Sequence, residues 1–161
     1  METELLEKMN DQITKEIYSG YIYLGMAAHF EEAALPGFAH WMKRQAAEEL
    51  EHAMKIFEYL TERGQKVVLG PIEAPRSEYG STLEVFEAGL EHERYVSALI
   101  RDLYELALEV GDHATAIFLQ WFVTEQVEEE DSFRSMIDDL QRIGTTGNGL
   151  YMLDRAAGSR E

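Results

Sequence analysis

The chain has 161 residues, of which 45% are hydrophobic, so we expect a single domain with a substantial core over residues 1–161. Its 31 acidic residues outnumber 14 basic ones, and the net charge of −17 argues against binding to nucleic acid or to an anionic membrane surface. The absence of cysteine excludes disulfides, thiolate zinc sites and iron–sulfur clusters.

The N-terminal segment Met1-Glu-Thr-Glu lacks the basic and apolar regions of a signal peptide. No apolar run approaches the length of a membrane span. We therefore expect a cytoplasmic location.

The first half of the chain has the apolar periodicity of two long helices. We predict helices over about residues 2–33 and 37–63, the second of which starts just after Pro36. The short connection between them makes an antiparallel hairpin. The next segment, roughly residues 64–80, is long enough to cross the whole length of a helical bundle.

The second half repeats this arrangement. A capping box from Ser81 to Glu84 opens a helix over about residues 82–110, and Asp112 is a good N-cap for a helix over about residues 113–143. A hinge-like run at 144–149 is followed by the apolar start of a short fifth helix, which we predict over about residues 149–157.

Each half also carries one carboxylate at a core-facing position, followed 33 residues later by the first of two polar residues spaced three apart. Residues at that spacing lie on one face of a helix. Folded together, the two halves would direct six oxygen and nitrogen donors at one point. The donors are Glu16, Glu49 and His52 in the first half and Glu93, Gln126 and Glu129 in the second.

A metal site explains these polar positions best. A buried, unpaired carboxylate costs several kcal/mol, and few lysines or arginines occupy core-facing positions to pair with this set. Carboxylates with one imidazole and one amide suit iron or manganese and disfavour soft metals. The remaining histidines lack such company, so we interpret them as surface or packing residues: His29, His40, His92 and His113.

Four segments resemble prokaryotic non-haem ferritins, and the resemblance covers nearly the whole chain. It implies an all-α, ferritin-like four-helix bundle with one long crossover between the second and third helices and a short C-terminal fifth helix. The segments are Glu16-Ile-Tyr-Ser, Glu48-Glu-Leu-Glu-His52, residues 118–130 and Gly149-Leu-Tyr-Met-Leu-Asp154.

The resemblance also assigns roles by position. Glu16, Glu49 and His52 resemble the ligands of the first ferroxidase iron. Glu49, Glu93 and Glu129 resemble those of the second, with Glu49 bridging. Gln126 matches the amide beside this pair, Tyr23 the nearby tyrosine and Trp121 a nearby aromatic residue. A core tyrosine that uses its hydroxyl to hold a ligand would also explain Tyr23, and core packing alone would also explain Trp121.

A third iron site is implied close to the pair. Glu48, Glu125 and Glu128, together with Glu129, resemble its ligands, although acidic runs such as residues 125–131 are usually exposed. Bacterioferritins carry Glu-x-x-His on both motif helices and a methionine haem ligand. Because the second motif here is Gln126-x-x-Glu129, and because Leu50 follows Glu49, we expect no haem.

The resemblance implies an iron-storage protein with ferroxidase activity. Fe(II) and dioxygen or peroxide would react at the paired site, and the ferric product would mineralise inside a homo-oligomeric shell of twenty-four subunits. Two alternatives stay open: a storage shell with little catalysis, whose carboxylates only nucleate mineral, and a di-iron or di-manganese peroxidase of small oligomeric state.

Overall fold

A computed structural model describes residues 1–144 and 147–161. Four long helices and one short helix follow the predicted order, and each boundary of the long helices lies within one residue of the sequence prediction. They are α1 (Thr3–Glu32), α2 (Pro36–Glu62), α3 (Thr82–Glu109), α4 (His113–Ile143) and α5 (Gly147–Ala157).

Side chains and proline mark where the helices begin. The hydroxyl of Ser81 accepts a hydrogen bond from the Glu84 amide, and Asp112 accepts one from the Thr115 amide, as the capping signals predicted. Pro36 occupies the first turn of α2, where its missing amide hydrogen costs nothing.

The short fifth helix is present but begins two residues earlier than predicted. Apolar residues starting at Leu150 set the predicted start at residue 149, whereas the helix begins at Gly147, ahead of its first apolar residue. Residues 145 and 146 of the predicted hinge lie outside the described part of the chain.

The long crossover joins the two helical hairpins. The α1–α2 and α3–α4 pairs are each antiparallel, whereas α2 and α3 run parallel, so the segment after α2 returns along the bundle as predicted. Side chains of α1 hold its backbone: Asn10 bonds to Lys66 O at 3.2 Å and to Val68 N at 2.8 Å, and Thr14 Oγ1 accepts from Gly70 N at 3.0 Å.

The bundle interior contains two apolar clusters with a polar layer between them. The aromatic cluster lies where α1 ends and α2 begins, and it includes Tyr23, Phe30, Phe38, Phe86 and Phe133. The aliphatic cluster lies at the other end of the bundle and includes Leu5, Met9, Ile13, Ile56 and Ile100. The polar layer comprises Glu16, Glu49, His52, Glu93, Gln126 and Glu129, all buried.

None of the helices within residues 1–144 and 147–161 has a stretch sufficiently long and apolar to span a membrane.

Candidate metal centre

All four long helices contribute residues to the polar layer. These residues lie on the core-facing sides of the helices, in line with the buried apolar residues before and after them. Glycine allows close helix approach beside the layer. A Cβ at Gly20 would lie 3.1 Å from the Ala46 carbonyl oxygen and 3.6 Å from Glu49 Cβ. The α1 and α2 backbones are therefore close enough for Glu16 and Glu49 to meet.

The layer contains two groups of ligand atoms that share one carboxylate. The first is formed by Glu16, Glu49 and His52, and the second by Glu49, Glu93 and Glu129. Within each group the ligand atoms lie within 4.8 Å of one another. Glu49 belongs to both groups, as the bridging role requires.

His52 faces acidic groups through both ring nitrogens. Nδ1 lies 3.4 Å from a Glu49 oxygen, while Nε2 lies 3.7 Å from Glu125 and 3.9 Å from Glu129. His52, Glu125 and Glu129 form a third group of possible metal ligands at the edge of the layer. Glu125 is the most exposed of these three, with 27% of its side chain accessible.

Hydrogen bonds orient the carboxylates from the side. Gln12 Nε2 donates to Glu16 Oε1 at 2.8 Å, and the Tyr23 hydroxyl donates to Glu93 Oε1. Gln126 Nε2 donates to Glu93 Oε2 at 3.0 Å. The amide nitrogen of Gln126, which was predicted to contribute a donor to the metal site, therefore contacts Glu93, one of the candidate ligands.

Burial makes the charged form of these carboxyl groups unfavourable. Desolvation, followed by repulsion from Glu93, raises the pKa of Glu129 to about 8. Desolvation also raises the pKa of Glu93 to about 7, although hydrogen bonds from Tyr23 and Gln126 oppose the rise. Desolvation is also the main cause of the raised pKa values of Glu16 and Glu49. Bound cations would remove this penalty, and ligand deprotonation would release protons.

The same surroundings shift the pKa values of His52 and Tyr23. Burial lowers the pKa of His52, which keeps its imidazole neutral and able to coordinate a metal. Burial and the charge of Glu93 raise the pKa of Tyr23, so its hydroxyl stays protonated and donates to Glu93.

The donor set fits hard or borderline cations with several oxygen ligands. Glu16 Oε2 is buried and has no hydrogen-bond partner among the described residues, so an oxygen at the layer is available to a cation. Carboxylates with one imidazole suit Fe(II) or Mn(II). Two such cations that share Glu49 would be held next to each other.

The expected third-site residues are brought together only in part. Glu125 lies beside His52 and Glu129, but Glu48 is paired with Arg160 at 2.8 Å and Glu128 is exposed. A cleft of about 470 Å³ reaches this edge of the layer. Its lining includes Glu48, Glu51, His52, Trp121 and Glu125.

Trp121 lies beside the layer and is more exposed than a packing residue of the core. Its ring meets His52 edge-on at 5.5 Å between centroids, and 39% of the residue is accessible. The Lys55 ammonium lies 4.2 Å from the centre of the ring on the same cleft.

Sequence reasoning missed several residues that hydrogen-bond to members of the candidate site or to their partners. Gln12 and Gln45 each lie four residues before a glutamate of the candidate site, one helical turn away, and this spacing could have identified them. Arg160 carries no such signal because it approaches from the far end of the chain. The missed residues are Gln12, Gln45, Ser97 and Arg160.

Comparison with known proteins gives one consistent result. The family model described as the ferritin-like domain matches residues 6–143. The bacterial non-heme ferritin of Staphylococcus haemolyticus is 41% identical over 157 residues, which cover 98% of this chain and 95% of that protein. A probable bacterial non-heme ferritin-like protein of Haemophilus influenzae is 39% identical over 155 residues, covering 96% and 94%.

Solved structures agree with these relatives. The crystal structure of an open-pore ferritin from the archaeon Archaeoglobus fulgidus superposes with a TM-score of 0.98 and 44% sequence identity. The match covers 100% of this chain and 99% of that one. An engineered closed form of the same archaeal ferritin also matches, with a TM-score of 0.98.

Proposed function

Because this chain belongs to the ferritin family, we propose that it stores iron and that it oxidises Fe(II) at the paired carboxylate site. Fe(II) is the substrate. Two Fe(II) ions would each give one electron to dioxygen, so that peroxide forms with two protons and no superoxide is released. The Fe(III) product would then be stored as a mineral.

The observation that carries this proposal is the shared position of Glu49. A single carboxylate with two oxygens serves both groups of ligand atoms, while Glu16 and Glu93 each serve only one. A shared ligand fixes the separation of two metal ions, which paired oxidation requires. A surface that only nucleated mineral would not need a buried, shared ligand among four helices.

The other site residues would hold the ligands ready. The Tyr23 and Gln126 hydrogen bonds fix the Glu93 carboxylate, and Gln12 leaves one Glu16 oxygen for a metal. The raised pKa values of Glu93 and Glu129 mean that binding Fe(II) displaces protons near neutral pH.

A third iron would bind at the edge of the layer. Glu125, Glu129 and His52 already lie together there, beside the cleft. Glu48 and Glu128 would join them only after side-chain movement, because the first is paired with Arg160 and the second is exposed.

The single ferritin-like domain would act in the cytoplasm as one subunit of a hollow homo-oligomer of twenty-four chains. Full-length similarity to the archaeal open-pore ferritin supports the shell. The net charge of −17 suits a protein that attracts and conducts cations.

Replacing Glu49 with alanine tests the paired site. Both metal ions lose a ligand at once, so the fast absorbance change after mixing with Fe(II) should disappear in stopped-flow measurements. Glu62→Gln is the control because Glu62 is exposed at the end of the same helix. A fast phase that survives Glu49→Ala near the wild-type rate would refute the paired site.

A native mass of a few subunits would refute the shell.

A further inference from the structure

The C-terminal end of the chain reaches the polar layer through Arg160. Its guanidinium lies over the Trp41 ring, 4.2 Å from the centroid, and Nη1 donates to the Trp41 carbonyl oxygen at 3.2 Å. Nη2 donates to Gln45 Oε1 at 2.9 Å and to Glu48 Oε2 at 2.8 Å. Only 18% of this long side chain is exposed, so its planar fork is held in one place.

Gln45 connects this arginine to the ligands. Its side chain is fully buried, and its amide nitrogen donates to Glu49 at 3.1 Å and to Glu129 at 2.5 Å. An amide has one donor end and one acceptor end. Because Arg160 is a donor, it fixes the acceptor end of Gln45 toward itself and the donor end toward the two carboxylates.

The docking of α5 sets the reach of Arg160. Asp154 Oδ1 accepts a hydrogen bond from the Phe38 amide at 2.9 Å, and His40 Nε2 lies 2.6 Å from the Arg160 carbonyl oxygen. Gly37 permits this contact, because a Cβ there would clash with the Asp154 backbone. The tail is thereby fixed against the first turns of α2, one helical turn from Gln45.

We propose that Arg160 is a positioning residue for the paired metal site, acting through Gln45 on Glu49 and Glu129; this rests on the function proposed above. It touches neither metal nor substrate. Without it, the Gln45 amide can turn its oxygen toward the carboxylates, which disorders the shared ligand Glu49 and one further ligand of the second ion, Glu129. Mutation of a residue that hydrogen-bonds to a metal ligand typically weakens metal binding by about 10- to 100-fold.

The test uses the full-length assembled protein and Zn(II), which does not undergo oxidation. Arg160→Ala should weaken calorimetric Zn(II) binding at the paired site by about tenfold. Arg155→Ala is the matched control, because Arg155 is exposed on α5 and donates to Tyr151 instead. The Zn(II) affinity of this variant should stay within about twofold of the wild-type affinity.

A Gln45→Leu background separates positioning from simple anchoring of the tail. If Arg160 acts through the amide, adding Arg160→Ala to Gln45→Leu should change Zn(II) affinity less than about twofold. A full tenfold loss in that background would overturn the proposal, because the arginine would then act through Glu48 or through tail docking.

The Co(II) absorption spectrum provides a second measurement that does not depend on the Gln45 variant folding. Arg160→Ala should shift the ligand-field bands of bound Co(II), whereas Arg155→Ala should not. If Arg160→Ala binds Zn(II) with wild-type affinity and also gives the wild-type Co(II) spectrum, the proposal is wrong. Failure of the wild-type protein itself to bind paired Zn(II) would instead count against the proposed function.

Discussion

Replacing Glu93 with glutamine removes a negative charge from the buried layer while keeping the size of the side chain. Glu93 is fully buried, and its pKa is raised from 4.5 to about 7, chiefly by desolvation. In the unfolded chain this carboxyl ionises near its ordinary pKa. The burial of Glu93 therefore costs the metal-free protein little stability at low pH, where this carboxyl is protonated. The free energy of unfolding then falls as the pH rises from about 4.5 to about 7.

The size of the effect follows from that difference in pKa. A rise from 4.5 to about 7 corresponds to about 3 kcal/mol of lost stability once Glu93 is ionised. Glutamine escapes this loss and can still accept the Tyr23 hydrogen bond, but its amide conflicts with the Gln126 donor, at a cost of about 1–2 kcal/mol. We therefore expect metal-free Glu93→Gln to be about 1–2 kcal/mol more stable than wild type at about pH 8.

Urea unfolding of both metal-free proteins at one subunit concentration, in the presence of a chelator, measures the difference. The advantage of the variant should vanish or reverse at about pH 4.5, where wild-type Glu93 is protonated in the folded state. Added Zn(II) should stabilise the wild type more than the variant, because only the native wild type keeps the full ligand set. A stability difference that is the same at both pH values would refute the reasoning.

Three further substitutions test other parts of the structure. Glu125→Ala should leave the first paired oxidation of Fe(II) intact while changing later turnover in oxygen-consumption assays; loss of the initial phase would place Glu125 in the pair. Gly89→Ala should lower the free energy of unfolding by about 1–3 kcal/mol, since its methyl group would clash with the Phe133 ring. Ala34→Gly should raise it by up to about 1 kcal/mol, because Ala34 has a φ of 56°; unchanged or reduced stability in a melt would contradict this.

The sequence was sufficient for the parts of the fold that depend on local pattern. Apolar spacing and capping residues predicted the long helices to within one residue, and the length of the segment after α2 predicted that it crosses the bundle. The candidate ligands were found because Glu49 and His52 lie on one helical face, with a matching pair at Gln126 and Glu129 in the second half.

Contacts between distant segments could not be predicted in this way. Arg160 meets Gln45 across 115 positions of sequence, and no periodic pattern links an irregular tail to a helix. The sequence likewise gave no indication that Glu48 would be paired with an arginine, whereas the exposure of Glu128 is what an acidic run usually shows. These pairings depend on where α5 docks, which is decided by tertiary packing.

The division of the core by the polar layer has a consequence for how the molecule moves. The aromatic and aliphatic clusters each exclude water within themselves. In the metal-free state, the layer between them is held by hydrogen bonds that Tyr23 and three glutamines donate to mutually repelling acids. Because such a layer stabilises the bundle less than either apolar cluster, we expect that either end of the bundle opens by subglobal unfolding while the other stays folded. Cations ligated by all four long helices would join the two ends into one cooperative unit, and each subunit would become most rigid while it carries iron.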